Sequence, residues 1–94
     1  MPAPSPKNLV FFLSDNHACG YLGAYGNPLA RTPNLDAIAA RGVRFDNAYS
    51  ASPLCCPARA ALATGLFPHQ TGFWDNAIPY DGSRESWMSR LRDA

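Results

Sequence analysis

Five consecutive apolar residues, Leu9-Val10-Phe11-Phe12-Leu13, constrain the fold of this chain more than any other feature. The run does not alternate with polar residues, and it is rich in aromatic and branched side chains. An extended segment over residues 8–14 would therefore have to bury both of its faces, as strands do in parallel sheets covered by helices. The run ends in Ser14-Asp15-Asn16-His17, a polar group placed where such a strand reaches its carboxyl end. Ligands of open α/β sheets gather at that end, and a carboxylate there is well placed for a hard cation.

The rest of the chain supplies the partners of such a sheet. Residues 1–6 (MPAPSP) are proline-rich, and residues 1–7 are expected to be a disordered leader. Residues 20–28 (GYLGAYGNP) read as a glycine-rich loop. Thr32 then offers an N-cap and Pro33 a first helical position, Leu35, Ile38 and Ala39 form an apolar stripe, and Gly42 stops the helix. A second strand is predicted over 43–50. After a turn, Pro57 opens an alanine-rich helix that stops at Gly65. Residues 66–83 read as loop, and Ser86 caps a last helix with Trp87, Leu91 and Ala94 on one face. Strand, helix, strand, helix predicts an α/β fold with helices packed on a mostly parallel sheet.

Composition excludes several classes of function. Eight Lys and Arg face seven Asp and Glu, a net charge of +1, so the basic stripe of a nucleic-acid binder is absent. The run 9–13 is too short to span a membrane or to form the core of a signal peptide, which gives the expectation of a cytoplasmic protein without a membrane partner. Three cysteines, Cys19, Cys55 and Cys56, make an odd set with neither a disulfide framework nor zinc-site spacing. Cys19 reads as a small packing residue. Ninety-four residues allow one modest domain.

The chemistry concentrates in Cys55-Cys56-Pro57-Ala58-Arg59 and the helix running to Thr64-Gly65. Cys55 is expected just before the helix, with first-turn amides and the positive dipole end pointing back at it. Pro57 forfeits no needed donor there, and Arg59 adds a permanent positive charge. A nucleophile so placed would face an anion site suited to a phosphate or sulfate ester.

This stretch resembles the signature of the type I sulfatases of the alkaline phosphatase superfamily, Cys-x-Pro-x-Arg followed by a helix ending near Thr-Gly. The resemblance implies an alkaline-phosphatase-like fold, of which residues 8–94 would be an incomplete, amino-terminal portion. It implies that a separate formylglycine-generating or sulfatase-maturating enzyme oxidises Cys55 to formylglycine. The hydrate of that aldehyde carries two hydroxyls on one carbon, one to take the sulfuryl group and the other to release it. Arg59 would stabilise the diol. Asp15 matches the family's first metal-binding aspartate, and Asn16 stands where many relatives have a second one. Asp15, Asn16 and the modified Cys55 would thus share a divalent metal, calcium first and manganese or magnesium as alternatives.

Trp74-Asp75-Asn76-Ala77 is similar to an element of the choline-sulfatase and phosphonate monoester hydrolase branches, which makes Asn76 a substrate contact. Trp74 is expected to cover the core beneath its loop, His69 to be mainly structural, and His17 to be a polar loop residue. Tyr21, Tyr25 and Gly26 match a Leu-Gly-x-Tyr-Gly stretch common in the family, whose glycines are expected to shape a loop. The function implied is hydrolysis of a small sulfuric ester, with a phosphonate monoester or phosphodiester hydrolase as the alternative within the superfamily. A truncated remnant without activity is the alternative outside it. The resemblance places further metal and sulfate ligands beyond the part matched, so the 94-residue chain is expected to be inactive alone.

Overall fold

The computed structural model describes residues 8–94, which fall into two compact units, one running to Phe45 and the other spanning Asp46–Ala94. The predicted leader at 1–7 lies outside the described residues.

In the first unit, two 3-10 turns, Cys19–Tyr21 and Gly23–Tyr25, lead to helix α1, Pro33–Arg41. The helix forms where the Pro33 start and the Gly42 stop predict it, yet Thr32 does not cap it with its side chain. The Thr32 hydroxyl instead accepts from the Gly23 N–H (2.9 Å) and donates to Asp36 Oδ1 (3.0 Å), which also accepts from the Ala24 N–H (2.7 Å). Thr32 and Asp36 therefore bind the second 3-10 turn to the start of α1. Glycine at 23 leaves room for this contact, because a Cβ there would meet Asp36 Oδ2 at 2.5 Å and push the carboxylate aside. Tyr25 closes the unit: its hydroxyl donates to the Phe45 carbonyl (2.7 Å), and the Arg44 guanidinium lies 5.0 Å from its ring centroid. The glycines of this stretch shape a loop, as expected.

The second unit is built on helix α2, Cys55–Thr64. Its buried residues, Pro57, Ala60, Ala61 and Ala63, are all small, so neighbouring backbone can approach closely. Helices α3 (Pro68–Thr71) and α4 (Trp87–Asp93) pack against α2. Gly65 and Gly72 end α2 and α3 in the left-handed conformation (φ 71° and 83°), each N–H donating back to the carbonyl four residues earlier. Ser86 and Ser89 cap α4 reciprocally: the Ser89 N–H donates to Ser86 Oγ (3.1 Å), and the Ser86 N–H to Ser89 Oγ (3.0 Å). Phe73 is buried and meets Tyr80 edge-to-face at 5.4 Å. The core aromatic is thus Phe73, whereas Trp74 is 56% exposed.

The expected sheet is absent from the described residues, which contain helices and turns but no strand. The apolar run stands open to solvent, with Leu9 70%, Val10 73% and Phe12 81% exposed. Residues 43–50 form no strand either, and they cross the boundary between the two units. The physical reason is non-local. A helix satisfies its backbone within itself, whereas a strand needs a neighbour for every second N–H and C=O. Two short strands do not make an independently stable sheet.

Candidate functional site

Helix α2 starts two residues earlier than the sequence suggests, so Cys55, Cys56 and Pro57 are its first three residues, with Leu54 as N-cap in an extended conformation. Proline is tolerated at this third position because first-turn amides have no carbonyl to reach within the helix. Cys55 is exposed and so is Arg59. The two are four residues apart in one helix and therefore share a face, one turn above the other.

The anticipated cradle of backbone amides does not form. The Cys56 N–H donates to Asn76 Oδ1 at 2.9 Å, Pro57 has no N–H, and the Ala58 N–H donates to the Leu54 carbonyl at 3.0 Å. Of the first-turn donors, the Cys55 N–H alone is not engaged among the described residues. The first turn of α2 thus presents few open backbone donors, while the positive end of its dipole and the Arg59 charge lie at the same end of the helix.

Asn76 is drawn in from twenty residues away. Asp75 builds the turn that carries it, accepting at Oδ1 from the Ala77 N–H (2.9 Å) and at its carbonyl from the Ile78 N–H (3.1 Å). Asn76 then touches Cys56 twice: Oδ1 accepts from the N–H, and its own carbonyl accepts a weak contact from Cys56 Sγ at 3.9 Å. Sequence reasoning singled out Asn76 but missed this partner. The Asp-Asn pair in a tight turn is its only local trace.

Asp15 and Asn16 lie together in the first unit, both exposed, with Asn16 in the left-handed region (φ 52°). Asn16 is the only such non-glycine residue among those described, and asparagine tolerates this conformation better than most. No group of three or more His, Cys, Asp or Glu side chains that could hold a metal occurs among the described residues. A calcium ion takes six to eight oxygens. The side chains of Asp15 and Asn16 alone supply fewer oxygens than that.

His69 stacks on Phe67, ring centroids 5.8 Å apart and 10° from parallel, as its structural reading anticipates. His17 is exposed, and Cys19 is exposed too instead of packed. A groove of about 210 Å³ lined by Thr64, Gly65, Glu85, Trp87 and Arg90, among others, lies at the far end of α2. Nine residues at 1.5 Å each put it about 14 Å along the helix from Cys55.

The sulfatase family model matches residues 7–92. The chain belongs to the sulfatase family. Over 87 residues, or 93% of this chain and 16% of the relative, it is 40% identical to an N-acetylglucosamine-6-O-sulfatase of Bacteroides thetaiotaomicron. It is 53% identical to human N-acetylgalactosamine-6-sulfatase over 72 residues, 77% of this chain and 14% of that one. An Escherichia coli protein named uncharacterized sulfatase YidJ is 41% identical over 88 residues, 93% of this chain and 18% of the relative. The chain thus spans less than a fifth of the length of these curated relatives. No solved structure matches it significantly. Membership carries the alkaline-phosphatase-like fold expected from the signature, with sheet packing beyond what the described residues contain.

Proposed function

We propose that residues 8–94 are the nucleophile-bearing portion of a sulfatase catalytic domain that hydrolyses a sulfuric ester. One observation carries this reading: Cys55 and Arg59 occupy successive turns of one exposed face at the start of α2, inside a sulfatase match covering 7–92. Cys55 is converted to formylglycine by a separate maturating enzyme, and the hydrated aldehyde supplies a hydroxyl to accept the sulfuryl group and a second to release it. Arg59 holds negative charge at that carbon. Its guanidinium offers a planar fork of donors. The donor end of Asn76 faces the substrate. Asp15 and Asn16 contribute oxygens to a divalent-cation site, with calcium the first choice for an all-oxygen set. In the whole domain, residues 8–14 and 43–50 pair within the sheet that the family fold requires.

The names of two relatives, both 6-sulfatases of N-acetylated amino sugars, support a 6-O-sulfated N-acetylhexosamine as the substrate. The likeness of Asp75-Asn76-Ala77 to the phosphonate-cleaving branch supports the alternative.

The test begins with the mass of the tryptic peptide 45–59 from protein made alongside a maturating enzyme. Conversion of thiol to aldehyde lowers it by about eighteen daltons. Matured protein is then assayed on a 6-sulfated amino sugar, an aryl sulfate and an aryl phosphonate. Sulfate release, lost in Cys55→Ala, is the expected result. Preference for the phosphonate moves the protein to the alternative, and an intact thiol at Cys55 in active protein overturns the nucleophile.

A further inference from the structure

The contact between Asn76 and Cys56 has a direction that the substrate-contact reading leaves unused. A side-chain amide carries an acceptor and a donor on one carbon. Since the Cys56 N–H can only donate, the atom 2.9 Å away has to be the carbonyl oxygen of Asn76. The Nδ2 group is then geminal to that bond and points away from it. Cys56 is also the second residue of α2, directly bonded to Cys55. Its amide is the one hydrogen-bonded donor among the first three residues of the helix, because Pro57 has none and the Cys55 N–H is not engaged among the described residues. The Ala58 N–H closes the turn carrying Cys55 by donating to the Leu54 carbonyl, and the Asn76 bond ties that turn to a segment twenty residues away.

We propose that Asn76 is a positioning residue for the nucleophile: its Oδ1 clamps the Cys56 amide and so fixes the backbone orientation of residue 55. This rests on the reading of Cys55 given above. The clamp and the donor are separate tasks of one side chain. The acceptor end sets the geometry of the reacting carbon, and the donor end meets the anionic ester. The turn made by Asp75 is what brings both within reach. Loss of the clamp should therefore appear in kcat, since a misplaced nucleophile slows the step without weakening ester binding. Loss of the donor should appear in KM.

Two variants of the full-length protein separate these tasks. Asn76→Ala removes both ends of the amide, whereas Asn76→Asp keeps an acceptor, of a kind favoured at helix N-termini, and removes only the donor. Hydrogen exchange at the Cys56 amide should quicken about tenfold in Asn76→Ala and stay near the parent rate in Asn76→Asp. In matured protein, Asn76→Ala should lower kcat by roughly 10- to 100-fold. Asn76→Asp should recover most of that kcat while raising KM, because its carboxylate repels an anionic ester. An Asn76→Asp variant as slow as Asn76→Ala overturns the positioning role, and so does Cys56 exchange indifferent to both. Parent protein that carries the aldehyde but releases no sulfate defeats the sulfatase reading instead, and the exchange measurement then decides the clamp by itself.

Discussion

Helix α2 and the run 9–13 are both short and strongly apolar, and they meet opposite fates. In α2, which packs against α3 and α4, Ala60 is 1% exposed and Ala63 8%. In the run, every residue from Leu9 to Leu13 is more than half exposed. The difference lies in where each finds its partners and not in hydrophobicity. Helix α2 closes its own hydrogen bonds, and its neighbours arrive within thirty residues of chain. An extended run closes nothing without other strands beside it.

The sharpest way to break this comparison is to place a polar residue in each setting of the run. In the 94-residue chain, Phe12→Ser should shift stability by no more than about 0.5 kcal/mol, as exposed positions do. In the full-length protein, with the run inside the proposed sheet, the same change should cost about 3–5 kcal/mol. Denaturant unfolding of both proteins reads the difference, and equal small effects would remove the run from any sheet.

Gly23→Ala asks whether the first unit holds together by its own polar contacts. The new methyl would meet the Asp36 carboxylate, and pushing it aside disturbs the bonds from Ala24 and Thr32. A loss of about 1–3 kcal/mol is expected by thermal melting. A neutral result would mean that the Thr32–Asp36 anchor gives way freely.

The smallest effect concerns Asp81 in the second unit, which is fully exposed. Hydrogen bonds from Ser83 hold its carboxyl below the ordinary range. A depressed folded value stabilises above the unfolded pKa, and that stabilisation is lost as pH falls through the folded one. Asp81→Asn should therefore slightly flatten the acid limb of a stability–pH curve, below about pH 4, and leave neutral stability nearly unchanged. A steeper limb in the variant would contradict the sign.

What could be read from the sequence follows the same division. The ends of α1 and α4 were readable because Pro33, Gly42 and Ser86 act within one turn of themselves. The signature at Cys55–Arg59 was readable because its parts lie within two helical turns. Thr32 was misread because its hydroxyl serves a turn nine residues back and a carboxylate four residues ahead, in place of the first-turn amides of α1. The backbone anion cradle was misread for a similar reason. Nothing near Cys56 announces that its amide is already held by a side chain twenty residues on. The sheet could be inferred from the apolar run, but it cannot be built from the described residues.

The edge-to-face pair of Phe73 and Tyr80 has a practical consequence for any of these experiments. Protons on the edge of one ring sit over the face of the other and feel its circulating π electrons. Their magnetic resonance should move upfield on folding and return on unfolding. With Trp74 largely in solvent, these ring protons offer a clearer signal than its emission for following the second unit as it assembles around α2.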